Sequence, residues 1–168
     1  DAGEKYTTSP AYPDSYAAQT PAEERVEQPT ILYVMDESYW DVSELEQYGF
    51  QFDTDVSANL HALQQNSAYG RVYSPSFGGG TCDVEFEALT GYSVSYLPNG
   101  SKPYQQHVTK PMFALPSYLK TQGYQTAAVH CFWARYWSRD TAYPNLGLDD
   151  FISLEKMHGV EKVRRHYW

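Results

Sequence analysis

The chain has 168 residues, 42% of them hydrophobic and 20% charged, enough for one domain with an apolar core and too apolar for a wholly disordered chain. Its formal net charge of −9 argues against nucleic acid or an anionic membrane surface as the main partner, because both are polyanions. No stretch is apolar and long enough to span a bilayer. No signal peptide opens the chain, so any membrane anchor is expected to lie outside it. Residues 1–28 combine Pro10, Pro13 and Pro21 with Ser, Thr, Ala and Gln, and show neither a two-residue nor a helical period. They read as an acidic, solvated tether.

The globular part, 29–168, starts at Pro29. Thr30-Ile31-Leu32-Tyr33-Val34-Met35 has the continuous apolar pattern of a strand buried on both faces. It ends at Asp36-Glu37-Ser38. Residues 57–69 are expected to be helical, with Gly70 as the stop. Arg71-Val72-Tyr73 reads as a short strand. Three glycines, Gly78-Gly79-Gly80, precede a helix predicted from Thr81 to about Thr90, with Gly91 ending it. Further on, a helix is expected over 113–122, a buried strand over 124–130, a weak helix over 136–143 and a strand over 150–154. This alternation predicts an α/β fold with a mostly parallel sheet and helices on its faces.

Chemistry-bearing residues fall where such a fold binds ligands, beyond the carboxyl ends of strands. Asp36 and Glu37 follow the first strand, and only one of them can face the site because neighbouring strand residues point to opposite faces. His130 ends the later strand. Thr81 falls at the expected N-cap of a helix, where free N–H groups and a partial positive charge suit a phosphate. Each has a plainer reading: a capping threonine, a solvated acid, a core histidine, and a surface pair for Arg139 and Asp140. No GK[ST] follows the glycines, so the loop is not a Walker motif. The sixteen tyrosines and four tryptophans are core formers first, with a sugar-stacking surface as the alternative. Cys82 and Cys131 are read as free thiols, and no zinc-type spacing is present.

The run Gly78-Gly79-Gly80-Thr81-Cys82-Asp83-Val84-Glu85-Phe86-Glu87-Ala88-Leu89-Thr90-Gly91 is the most specific stretch. It is joined by Tyr96-Leu97-Pro98, Pro103-Tyr104-Gln105-Gln106, Asp36-Glu37-Ser38 and Trp137-Ser138-Arg139-Asp140. In these segments, taken in order, the chain resembles the extracellular domain of lipoteichoic acid synthases and related phosphoglycerol transferases of the alkaline phosphatase/sulfatase superfamily. The likeness runs from about Pro29 to Leu154. It implies a phosphoglycerol transferase whose nucleophile is Thr81, working through a covalent phospho-threonine intermediate. It implies a divalent metal, Mn²⁺ or Mg²⁺, held by Glu37 and Thr81, and substrate binding by His130, Trp137 and Arg139. The implied partners are a phosphatidylglycerol-type lipid as donor and a glycerol phosphate or glycan as acceptor, outside the cytoplasm.

The residue types suit that chemistry. Carboxylate and hydroxyl oxygens are ligands for hard cations, a cation activates a hydroxyl that is a poor nucleophile alone, and a guanidinium fork matches phosphate oxygens. There are departures from the family pattern. Phe132 stands where well-known members carry an acid, which points away from polyglycerol phosphate as acceptor. Cys82 follows the nucleophile but lacks the CxPxR-type context that activates a sulfatase cysteine. The Asp-His pair that completes the family's metal site has no counterpart before Trp168. The expectation is therefore the N-terminal part of a sulfatase-like domain, incomplete at its C-terminus, which alone is inactive and binds Mn²⁺ weakly. A phosphatase or phosphodiesterase of the same superfamily and a polymer-binding module are the alternatives.

Overall fold

A computed structural model of the chain describes residues 28–36 and 38–160; the expected tether falls almost wholly outside them. The described residues divide into two compact units, one of 28–31 with 75–160 and one of Leu32–Ser74.

The smaller unit contains a 3-10 helix, Val42–Tyr48, and helix α1 (Ala58–Asn66). Asp41 starts the first by accepting a hydrogen bond from the Ser43 N–H at 3.0 Å, and Gly49, at φ 91°, ends it. Helix α1 is shorter than expected because Ser67 turns to an extended conformation before Gly70 is reached. Among the described residues of this unit only Ser57 is buried, so polar contacts must hold it. His61 sits between two carboxylates, with Nε2 2.9 Å from Asp41 Oδ2 and Nδ1 2.8 Å from Asp55 Oδ2. An imidazole can donate through both nitrogens only as a cation. Its hydrogen bonds to Asp55 and then to Asp41 raise the His61 pKa. Asp41 is lowered chiefly by its hydrogen bond to Ser43, and Asp55 by its hydrogen bond to His61.

The linkage has a definite sign. A raised histidine pKa stabilises fully below the ordinary value of 6.5 and is lost as pH climbs through the raised value. The depressed carboxylates stabilise above 3.8 and are lost towards acid. The clasp is thus strongest between those two values. The His61 ring resonances are expected to titrate above 6.5, and amide exchange over 41–61 should quicken as pH passes that point. A His61 titration at or below the ordinary value would contradict the clasp.

The segment Thr30–Met35, expected as a buried strand, is not one here. It is irregular, and Leu32 and Val34 are 86% and 72% exposed. Apolar, β-branched composition supplies the propensity, but a strand exists only with a hydrogen-bonded neighbour and covered faces. Arg71-Val72-Tyr73 is likewise irregular.

The larger unit is built from α2 (Thr81–Thr90), α3 (Pro103–Gln106), α4 (Leu115–Thr121), strand β1 (Ala127–Val129), α5 (Arg139–Asn145) and strand β2 (Asp150–Ile152), with 3-10 turns at Val94–Tyr96 and Tyr136–Ser138. β1 and β2 pair in parallel, with Ala127, Ala128 and Val129 opposite Asp150, Phe151 and Ile152. Parallel pairing requires a crossover, which α5 supplies. The class is the expected α/β, with a small two-stranded sheet among the described residues.

Cys82, Phe86, Tyr104, Val108, Ala114, Ala142, Tyr143, Leu146 and Phe151 form one buried cluster, with Leu89 and Trp137 packed on it. Tyr143 meets Tyr104 and Phe151 edge-on, at 5.9 and 4.7 Å between ring centroids, the favoured aromatic geometry. Gly147 lets α5 close onto α4: at φ 95° a Cβ there would lie 2.6 Å from the Ser117 backbone, while Ser117 N–H donates to Leu146 O at 3.1 Å. Among the described residues no helix is long and apolar enough to cross a membrane.

Candidate active site at the start of helix α2

Helix α2 carries good helix formers, Glu85, Glu87, Ala88 and Leu89. Gly91 ends it in the left-handed conformation, donating its N–H to Glu87 O at 2.8 Å. The buried positions of α2 are Cys82, Asp83, Glu85, Phe86 and Thr90, so two acids lie on its core side. The helix begins at Thr81 as expected, but its N-cap is a different residue. Gly78, Gly79 and Gly80 all have positive φ, at 72°, 122° and 86°, a region open at little cost only to glycine. Gly80 is therefore the N-cap and Thr81 the first helical residue, and no side chain caps this end. Thr81 is partly buried. Beside it, a Cβ on Gly80 would lie 2.6 Å from Ser76 Oγ, 2.7 Å from Asp83 Oδ2 and 2.8 Å from Lys102 Nζ. Ser76 Oγ in turn donates to Gly79 O. Three polar groups thus converge on the backbone immediately before Thr81.

Each buried acid of α2 has a cation. Lys102 Nζ donates to Asp83 Oδ2 at 2.7 Å and stands 5.4 Å from the centre of the Trp137 ring, within cation–π range. The hydrogen bond to Asp83 raises the Lys102 pKa, so its ammonium is charged at neutral pH. Trp137 and Ser138 both hold φ near 57°, an uncommon conformation for residues with a Cβ. Arg139 follows directly and is 1% exposed. Its Nε donates to Glu85 Oε2 at 3.0 Å, its Nη2 to Glu85 Oε1 at 2.5 Å and its Nη1 to Tyr136 O at 3.2 Å. Tyr143 Oη adds a 3.0 Å hydrogen bond to Glu85 Oε2. The Glu85 pairing keeps the guanidinium charged despite burial.

His130 is partly buried at the end of β1, and its backbone N–H donates to Ile152 O at 3.0 Å. Burial first, and the charge of Arg139 second, lower its pKa. Its imidazole is therefore neutral near pH 7. Cys82, fully buried, has its thiol pushed up to about 12, by burial and then by the charge of Asp83. A thiol held that high is not a thiolate nucleophile at neutral pH. Cys82 and Cys131 are both free, the latter exposed.

Of the residues singled out by the resemblance, Thr81, Trp137, Arg139 and His130 belong to the larger unit and are tied together through α2. Asp83 links to Lys102 and so to Trp137. Glu85 links to Arg139, and the Glu85–Arg139 pair sets the field at His130. Glu37 lies outside the described residues, and Asp36 is exposed in the smaller unit. Arg139 is buried against Glu85, not solvent-facing, and forms no surface pair with Asp140. Sequence reasoning missed Glu85, Lys102 and Tyr143. The available signal was the placing of Asp83 and Glu85 among core positions of one helix, since buried acids demand partners. Thr81 and Glu37 supply oxygen, the donor type a hard cation takes. Among the described residues no group of three or more His, Cys, Asp or Glu is arranged to hold a metal ion.

The larger unit thus sets a hydroxyl at the first position of a glycine-led helix on an α/β frame. The sulfatase family matches residues 29–166, and the chain belongs to that family. A relative from Rhizobium meliloti (strain 1021), named for cyclic beta-1,2-glucan modification, is 39% identical over 134 residues, 80% of this chain and 20% of that protein. The crystal structure of the lipoteichoic acid synthase LtaP from Listeria monocytogenes superimposes with a TM-score of 0.45 at 23% identity, covering 50% of this chain and 20% of that one. The chain thus spans about a fifth of the length of each of these proteins.

Proposed function

We propose that this chain carries the nucleophile half of a phosphoglycerol transferase that modifies a cell-envelope glycan outside the cytoplasm. The observation that carries the reading is Thr81 as the first residue of a helix with no side-chain cap, behind three left-handed glycines. Such an end offers backbone N–H groups to a phosphate. The family narrows the chemistry to transfer at a phosphoester or sulfoester. The fully buried, protonated Cys82 leaves the neighbouring threonine hydroxyl as the group to attack.

In the proposed reaction Thr81 Oγ bonds to the phosphorus of a phosphatidylglycerol-type donor as the bond to the diacylglycerol oxygen breaks. The threonine proton ends on diacylglycerol. An acceptor hydroxyl then bonds to phosphorus as the Oγ–P bond breaks, and its proton returns to Thr81. A Mn²⁺ or Mg²⁺ ion, when bound through Glu37 and Thr81 oxygens, supplies positive charge that makes the hydroxyl easier to deprotonate. Neutral His130 is able to accept a proton near pH 7. Trp137 forms a wall for the glycerol, and Arg139 holds the turn that presents Trp137. The relative named for glucan modification favours a glucan hydroxyl as acceptor, in keeping with Phe132 where a polar contact to glycerol phosphate would stand. A membrane anchor outside this chain would keep the site near the lipid.

The test is product analysis on the full-length protein with a head-group-labelled phosphatidylglycerol and Mn²⁺, with and without a β-glucan. Diacylglycerol release, label on the glucan and a glycerophosphoryl adduct on the peptide containing Thr81 are expected. Release of free glycerol phosphate in the presence of glucan would replace transfer by hydrolysis. An adduct on another residue would remove Thr81 as nucleophile.

A further inference from the structure

Two cations serve the acids of α2, and they differ in what they have left to offer. Arg139 is 1% exposed, and its Nε, Nη1 and Nη2 all donate within the protein. Lys102 has a side chain 29% exposed. An ammonium carries three N–H donors, and here one goes to Asp83. Its Nζ lies 2.8 Å from the point where a Cβ on Gly80 would project, and Gly80 is bonded to Thr81. The ammonium is therefore held beside the backbone of the residue that precedes the hydroxyl. Asp83 fixes it from one side and the Trp137 ring, at 5.4 Å, from another. Gly80 is what makes room for this arrangement, because any side chain there would collide with Lys102, Asp83 and Ser76 together.

We propose that Lys102 is the phosphate-positioning residue of this site: its ammonium, seated between Asp83 and Trp137 next to Gly80, holds a non-bridging oxygen of the phosphoester presented to Thr81. The role differs from that of Arg139, whose charge is committed to Glu85. Lys102 makes and breaks no bond to phosphorus. It orients the anion and offsets charge that grows on the phosphoryl oxygens as Oγ approaches. This rests on the transfer reading above, and the test keeps the two apart.

Lys102→Met and Lys102→Arg are compared with the parent sequence in the full-length protein, by two measurements. One is kcat and KM for diacylglycerol release. The other is binding of inorganic phosphate followed by ³¹P line broadening. Loss of a charge-assisted hydrogen bond should weaken phosphate binding about 10- to 100-fold in Lys102→Met and lower kcat/KM at least as much. Lys102→Arg keeps the charge and the partner for Asp83, so it should recover most of both. It also serves as the folded control if Lys102→Met unfolds. A purely structural lysine would leave phosphate binding of the folded variants unchanged, and that result overturns the proposal. So does a folded Lys102→Arg with no phosphate binding. Lys102-dependent phosphate binding without diacylglycerol release would remove the transfer reading and leave the role of Lys102 standing. Turnover that depends on Thr81 and is indifferent to Lys102 would do the reverse.

Discussion

Replacing Thr81 by alanine in the full-length protein is expected to abolish diacylglycerol release, with a fall in kcat of about four orders of magnitude or more, the scale seen when a covalent nucleophile is removed. No glycerophosphoryl adduct should form. The fold should survive, because Thr81 is the first residue of α2 and only partly buried, and alanine is the best helix former. Unchanged circular dichroism and thermal midpoint would show this. Thr81→Ser keeps a hydroxyl at the same place and should retain part of the rate. The assay is release of labelled diacylglycerol under single-turnover conditions. Residual activity in Thr81→Ala above about 1% of the parent's would assign the attack to another group, since neither helix geometry nor charge supplies a nucleophile.

The second large effect is on stability. Glu85→Ala is expected to destabilise the larger unit by about 3–5 kcal/mol, the usual result of stranding one member of a buried ion pair. Arg139 would keep a charge 1% exposed to solvent, with the Tyr136 carbonyl still accepting from its Nη1, and Tyr143 Oη would lose its acceptor. Thermal unfolding should shift downward by about 10 °C or more for a unit of this size. Joining Glu85→Leu to Arg139→Leu should recover much of the loss, because a pair replaced by packed apolar groups leaves no buried charge uncompensated. A Glu85→Ala protein as stable as its parent would mean that the pair is not formed in solution. The same pair bears on function. If Arg139 touched the phosphate directly, it would first have to leave Glu85, and Glu85→Gln would then lower KM by freeing it. If Arg139 supports Trp137 from below, Glu85→Gln weakens both kcat and stability.

Local signals marked much of the larger unit. Glycine at 91 and the helix formers before it placed α2 to the residue at its carboxyl end, because helix propensity and left-handed capping act within a turn or two. Strands β1 and β2 and helix α4 also lie inside their expected spans. What failed was non-local. Thr30–Met35 has strand composition and no ladder, since a neighbour far along the chain must supply one. Helix α2 runs over Thr81–Thr90 as expected, but its N-cap is Gly80 and not Thr81, and Ser76, Asp83 and Lys102 come within 2.8 Å of where a Cβ on Gly80 would project. The clasp of His61 by Asp41 and Asp55 joins residues whose spacing shows no motif.

The sequence by itself determined that this chain is a sulfatase-family α/β protein and that Thr81, behind Gly78-Gly79-Gly80, is its candidate nucleophile. Both rest on the resemblance carried by several segments taken in order, since the residues around Thr81 read alone are those of a helix start behind glycines. Only the tertiary structure decided which cation serves which acid. Asp83 and Glu85 are two residues apart and chemically alike, yet one meets Lys102, partly exposed beside Gly80, and the other meets Arg139, sealed in the core. A charge's partner and its access to solvent are set by what packs around it, and no local pattern records that.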